Sequence, residues 1–178
     1  MRSEDQSRFP AVPAMLKDGR GAVIRPLSDG DGPALGEFYE SVPPEDEFFY
    51  QPHPLTREQA AEQAAAADDP QAVVLVAQSA DGRIAGYAWF RWDGPQAEAS
   101  RFGICIRREF QGQGLGAALM GRLADIAGDL GPPVMVLTVQ KANRRAVAIY
   151  MRMGFRIVRE QVRRSDREPE YYMERRVR

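Results

Sequence analysis

Residues 111–119 read QGQGLGAAL, and they follow the extended-looking run SRFGICIRR (100–108) after only Glu109 and Phe110. From Gly114 onward, Leu115, Leu119, Leu123, Ile126, Ala127 and Leu130 recur at helical spacing until the GPP at 131–133 stops them. A strand therefore runs through a glycine turn into a helix of roughly four turns. Unpaired main-chain N–H groups converge at such a helix start, and the helix dipole favours negative charge there. Glycines let a phosphate come close to the backbone. The stretch predicts an anion site.

Two nucleotide-binding patterns can be tested against it. Gly112, Gly114 and Ala117 satisfy the dinucleotide fingerprint G-x-G-x-x-G/A, which expects an acidic residue about twenty positions on to hold a ribose. The following strand-like run VMVLTVQ (134–140) has no acid. The glycines also stand late in the chain, after strands that look antiparallel, whereas the fingerprint usually opens a string of βαβ units. A Walker-type loop fails because no Lys-Ser or Lys-Thr follows the glycines. The bland reading, that the glycines only permit a tight turn, stays open on these residues alone.

The chain has 178 residues, enough for one well-buried domain. Its 24 Lys+Arg against 25 Asp+Glu give a net charge of −1, which offers no general attraction to nucleic acid or to an anionic membrane. There is no apolar run of the ~20 residues that span a bilayer and no apolar signal core at the N-terminus, so a cytoplasmic location is expected. One cysteine, Cys105, and one histidine, His53, cannot make a disulfide or a cluster of soft metal ligands, so no metal is expected.

Residues 1–20 read as a flexible extension and 21–178 as a single domain. AVIRPL (22–27) is a strand, and residues 31–41 form a capped helix. PPEDEFFYQPHPL (43–55), with its prolines, should be irregular. Thr56 and Gln59 make a capping box that opens an alanine-rich helix. QAVVLVAQ and RIAGYAWFRW flank a hairpin turn at 79–82, and AEASRFGICI is a further strand. After VMVLTV, a helix from Asn143 to Met153 is closed by Gly154, and two more strands end the chain.

In NRRAVAIY, Asn143 and Tyr150 stand seven apart, about 20° from coincident on one helical face. The loop Q/R-x-x-G-x-G/A, filled by Gln111, Gly114 and Gly116, together with N-x6-Y-x3-GF at Asn143, Tyr150, Gly154 and Phe155, resembles the GNAT-type N-acetyltransferase superfamily. The likeness runs from about residue 22 to 177. It implies an α/β (α+β) fold: a mixed, mainly antiparallel sheet of about seven strands, helices on both faces, and a V-shaped splay between the fourth and fifth strands. It also implies acetyl-CoA as co-substrate and direct attack by a primary amine in a ternary complex.

Carried onto this chain, the resemblance lays the pantetheine arm along Ile104, Cys105 and Ile106. The pyrophosphate would meet main-chain N–H groups of Gln111, Gly112, Gln113, Gly114, Leu115, Gly116 and Ala117. Arg107 and Arg108 are near enough to add charge, or are solvated strand ends. Asn143 would bond the pantetheine amide, cap its own helix, or do both. Tyr150 would protonate the departing thiolate, the alternative being a core tyrosine. For the base, Glu98 could work through water beside Ser100. Protein-acetylating relatives often carry a glutamate where this chain has Arg101, and that departure counts against a lysine-acetylating mechanism. Cys105 reads as a small buried residue rather than an acyl carrier.

The loop at 43–55 gathers Glu45, Asp46 and Glu47 with Phe48, Phe49 and Tyr50. It reads either as an electronegative mouth for a cationic amine or as a solvated run beside a packed aromatic staple. His53 could touch substrate there or be plain surface. The acceptor is a small-molecule or protein amine, with no nucleic acid or membrane partner expected and a homodimer left open. Two competing functions remain, an acyl-CoA-binding sensor and a nicotinamide-dinucleotide module.

Overall fold

The computed structural model describes residues 9–50 and 52–178. Its strands are β1 (Val12–Met15), β2 (Gly21–Pro26), β3 (Ala72–Ser79), β4 (Ile84–Arg91), β5 (Ala99–Ile106), β6 (Val134–Gln140), β7 (Arg156–Val162) and β8 (Pro169–Arg176). Its helices are α1 (Gly32–Glu40), α2 (Pro44–Glu47), α3 (Arg57–Ala65), α4 (Leu115–Asp129) and α5 (Arg144–Arg152). All strands join one sheet in the order β1-β2-β3-β4-β5-β6-β8-β7. Every neighbouring pair is antiparallel except β5 with β6.

Strict alternation along the central strands builds two cores. Val73, Leu75 and Ala77 of β3 face α4, whose Leu115, Leu119 and Leu123 form a fully buried stripe at four-residue spacing. Val74 and Val76 face the other way, with Tyr87 and Trp89 of β4, onto Leu35, Phe38 and Tyr39 of α1 and Ala60 of α3. Helices thus cover both faces of the sheet.

Two expectations are corrected. The sheet has eight strands because β1, inside the segment expected as a flexible extension, pairs with β2 from Val12↔Ile24 to Met15↔Gly21. Val12 and Ala14 turn inward and Pro13 and Met15 outward, and a proline is tolerated because β1 is an edge strand. Residues 1–8 of that expected extension lie outside the described residues. The proline-rich loop also holds one regular turn, α2, with Pro44 at the first helical position, where its missing N–H costs nothing.

The functional geometry follows from one irregularity. β5 and β6 pair only over Ala99↔Val134, Ser100↔Met135 and Arg101↔Val136, yet β5 continues to Ile106 and β6 to Gln140. Beyond Arg101 the strands part. Tyr150 of α5 and Phe155 pack against Phe102 at ring distances of 6.2 and 6.0 Å, so aromatic bulk occupies the fork where the ladder stops. No described helix is long and apolar enough to cross a membrane.

Candidate active site

A cavity of about 520 Å³ occupies the fork. Its floor is Arg101–Ile104 of β5 with Trp89 and Arg91 of β4; one wall is Val136–Thr138 and Gln140 of β6 with Glu170 and Tyr172 of β8. Phe49, Tyr50, Pro52, His53 and Gln63 close the opposite wall, and Tyr150 reaches in from α5.

On the adjoining side, α4 begins at Leu115 behind Gly114, whose φ of 90° is the left-handed conformation glycine adopts freely. Gly112 has φ 76° for the same turn. The N–H groups of Leu115, Gly116 and Ala117 have no acceptor within the helix. Gln111 braces the loop: its amide donates to the Ile106 carbonyl at 3.1 Å and to Asp46 at 3.3 Å, and its oxygen accepts from Arg145 at 3.3 Å. The Lys17 N–H donates to the Gln113 carbonyl at 3.0 Å, which brings a second cation to the loop. Arg107 and Arg108, which the sequence left either as extra charge here or as solvated strand ends, are engaged by other partners. Arg108 pairs with Glu45 and Asp46 at 2.9 Å each, and Arg107 donates to the Ile84 carbonyl at 3.1 Å.

These pairs also correct the reading of the acids. Arg108 bridges Glu45 and Asp46, offsets one of their two charges and ties α2 to the end of β5, so these acids are partly engaged within the protein rather than wholly free in the loop. Phe49 and Tyr50 of the same loop do line the cavity. So does His53, whose Nδ1–H donates to the Pro54 carbonyl at 2.9 Å, leaving Nε2 to accept from the Tyr50 hydroxyl at 3.0 Å. The Trp89 indole N–H donates to that hydroxyl at 3.1 Å. Burial lowers the His53 pKa and keeps the ring neutral at pH 7.

The expected catalytic residues fare differently. Tyr150 lies in the fork with its ring against Phe102 and Phe155, and its hydroxyl has no hydrogen-bond partner among the described residues. Burial, and secondarily the neighbouring Cys105, raise its pKa, so the phenol holds its proton across the neutral range. Glu98 is not brought there. It precedes β5 in an exposed bend and does not line the cavity. Ser100, expected beside it, is fully buried, with its hydroxyl directed to the Val134 carbonyl at 3.4 Å.

Asn143 caps α5, accepting from the Ala146 N–H at 3.1 Å, which leaves its amide N–H₂ to donate elsewhere. Cys105 is partly buried, and desolvation pushes its thiol pKa up to about 12, unsuited to nucleophilic attack. Glu170, missed in the sequence, is a carboxylate only 5% exposed on the cavity wall, with one oxygen accepting from Gln161 at 2.7 Å. Its spacing to Tyr172 is the available signal: the two share a strand face opposite Gln140 and Thr138.

The residues of this region fit the chemical demands of acetyl-CoA. The β5 edge beyond Arg101 is freed from β6, the helix start offers N–H groups to a pyrophosphate, and Gly116 leaves the space between them open: an added Cβ would meet Ile106 and Ile104 only at 3.7 and 3.9 Å. The described residues contain no group of three or more His, Cys, Asp or Glu that could hold a metal ion.

The family model for the Acetyltransferase (GNAT) family matches residues 35–155, more than half of the chain. The chain belongs to the GNAT acetyltransferase family. The mycothiol acetyltransferase of Clavibacter sepedonicus is 40% identical over 88 residues, which are 49% of this chain and 28% of that protein. The L-amino acid N-acyltransferase MnaT of Escherichia coli K12 is 33% identical over 86 residues, 46% of this chain and 49% of the relative. The chain thus spans about half or less of the length of these curated relatives. The structure of yncA from Salmonella typhimurium, solved with its cofactor acetyl-CoA, superposes with a TM-score of 0.74 at 21% identity, over 88% of this chain and 94% of that one. This GNAT domain therefore has the family fold, including its splayed strands.

Proposed function

We propose that this GNAT domain transfers the acetyl group of acetyl-CoA to a primary amine by direct attack within a ternary complex. The observation that carries the reading is the Tyr150 hydroxyl, which has no hydrogen-bond partner among the described residues and lies in the β5–β6 fork. Relatives named as an acetyltransferase and an N-acyltransferase, and a like-folded structure holding acetyl-CoA, support it.

When bound, acetyl-CoA supplies an activated acyl carbon and a thiolate leaving group. The chain's part is to orient and to move protons. The α4 N-terminus, Lys17 and Arg145 counter the phosphate charge, and the Asn143 amide and the free β5 edge hold the arm. Tyr150 holds a proton at its hydroxyl for the departing sulfur, and its raised pKa keeps that proton available. An attacking amine must be neutral, and Glu170 is the cavity-lining side chain with a carboxylate oxygen to accept a proton, both ring nitrogens of His53 being engaged by Pro54 and Tyr50.

Titration with acetyl-CoA and with NAD, followed by a free-thiol assay against a panel of amines, tests the reading. Coenzyme binding with amine-dependent thiol release is expected. NAD binding in place of acetyl-CoA, or tight acetyl-CoA binding with no thiol release for any amine, would overturn it.

The loop has its own test. Gly114 and Gly112 sit at positive φ, so a bulky residue there strains the backbone as well as crowding the ligand. Gly116 does not have that problem, and a Cβ there has room. Gly116→Ala should therefore fold normally yet weaken acetyl-CoA binding by roughly tenfold, about 1.4 kcal/mol. Unchanged affinity by calorimetry would move the phosphate site away from the α4 N-terminus.

A further inference from the structure

Arg91 ends β4 and Arg101 lies directly across from it on β5. Opposite residues in an antiparallel pair share one face with Cβ atoms about 4.5–5.5 Å apart, and like charges there repel. Both residues line the cavity, and no acid among the described residues bridges them. Among the described residues Arg101 reaches Asp93, at 3.1 and 3.2 Å, in a pair whose side chains are 65% and 84% exposed. Arg91 makes no ion pair among the described residues.

The Arg91 guanidinium is nevertheless held in place. One terminal nitrogen donates to the Gln63 side-chain oxygen, which also accepts from the Tyr87 hydroxyl at 3.3 Å, and its Cζ lies 5.1 Å from the centre of the Trp89 ring. Its Nε–H is buried with no acceptor among the described residues. A fixed cation with an orphaned buried donor is costly unless an anion completes it. A carboxylate suits a guanidinium best, since it can take two parallel N–H groups.

Four charged residues line the cavity, and three are arginines. The third, Arg163, is held by Asp166, its Nε donating at 2.9 Å. The one acid, Glu170, is aligned with Gln140, four residues further along β6 than the Val136 that pairs with Arg101. At ~3.3 Å per residue that is about 13 Å away, so the cavity is cationic at its base and acidic at the other end.

We propose that Arg91 and Arg101 clamp a carboxylate of the acceptor, making the substrate class amines that carry a carboxylate, such as amino acids and their conjugates. This rests on the cavity being the acceptor side of an acetyltransferase, so its test uses product binding, which needs no turnover. N-acetylated glycine, leucine, phenylalanine and glutamate would be titrated into the full chain, with and without CoA, each beside its C-terminal amide.

At least one acid should bind about tenfold or more tightly than its amide. That ratio should fall to within about twofold in Arg91→Met and in Arg101→Gln, with Arg91→Lys keeping part of it. Arg91→Met should melt no lower than wild type, because it removes a buried unpaired donor. Amides that bind as well as acids, no acid binding at 10 mM (roughly the weakest affinity worth assigning), or a preference that survives both substitutions would overturn the clamp. Loss of melting temperature in Arg91→Met with the preference intact would make Arg91 a structural residue. Failure of acetyl-CoA to bind would instead sink the proposed function and leave the carboxylate comparison standing by itself.

Discussion

Tyr150→Phe should lower the turnover number by about 10²- to 10⁴-fold, the range expected for loss of an acid catalyst. The acetyl-CoA dissociation constant should stay within about twofold, because the change removes an interaction made only as the sulfur departs. Packing gives little reason for collateral damage. The ring contacts with Phe102 and Phe155 survive, and the lost hydroxyl leaves no partner behind among the described residues. The wild-type pH profile carries a second check. Burial raises the Tyr150 pKa above its ordinary 10, so ionisation of this group should not depress turnover as pH rises from 7 to 9.5. A single-turnover rate unchanged in the variant would reduce Tyr150 to a packing residue.

What the sequence disclosed was local. The glycine loop and the spacing from Asn143 to Tyr150 each lie within one turn or one helix, where neighbours in sequence are neighbours in space. The strand β1 escaped because four residues containing a proline carry too short an alternation to read. Glu98 was misplaced by a single residue: β5 begins at Ala99, so the face expected to carry Glu98 and Ser100 into the site instead buries Ser100 and leaves Glu98 in the preceding bend. Register decides such questions, and one sequence does not reveal it.

The electrostatics of the site depend on longer connections. The acids of the 43–55 loop looked free because their partner, Arg108, lies more than sixty residues away in the chain. Arg101, legible only as a departure from the family pattern, acquires meaning when β4 brings Arg91 opposite it. Both findings concern charge that the fold redistributes: part of the loop's negative charge is taken up by Arg108, and Arg91 stands on the floor without an ion pair among the described residues. The carboxylate clamp proposed above thus rests on a pairing across β4 and β5 that neither reading of the loop acids contained.

Asp31→Ala should destabilise the fold by about 3 kcal/mol, since it removes one partner of a largely buried, hydrogen-bonded ion pair. For a chain of this size that corresponds to a fall of roughly 6–12 °C in melting temperature. The Asp31 carboxylate accepts from Arg25 at 2.7 and 2.8 Å, from the Ser28 N–H at 2.8 Å and from the Ser28 hydroxyl at 2.9 Å. These bonds pin the end of β2 to the start of α1, the helix whose Phe38 and Tyr39 pack on the strands beneath the cavity. Burial alone would raise the Asp31 pKa, but the Arg25 guanidinium and the Ser28 donors outweigh it and hold the pKa below its ordinary value. A depressed native pKa means that the stabilisation is complete above the unfolded value of ~3.9 and is lost as pH falls through the native one. Urea unfolding of wild type and of the near-isosteric Asp31→Asn should therefore show a constant gap from about pH 5 to 8 that narrows below about pH 4. A gap equally wide at pH 3 and pH 7 would show that the side chain acts through shape alone, and no gap at any pH would remove the Arg25–Asp31 pair from the forces that set α1 over the sheet.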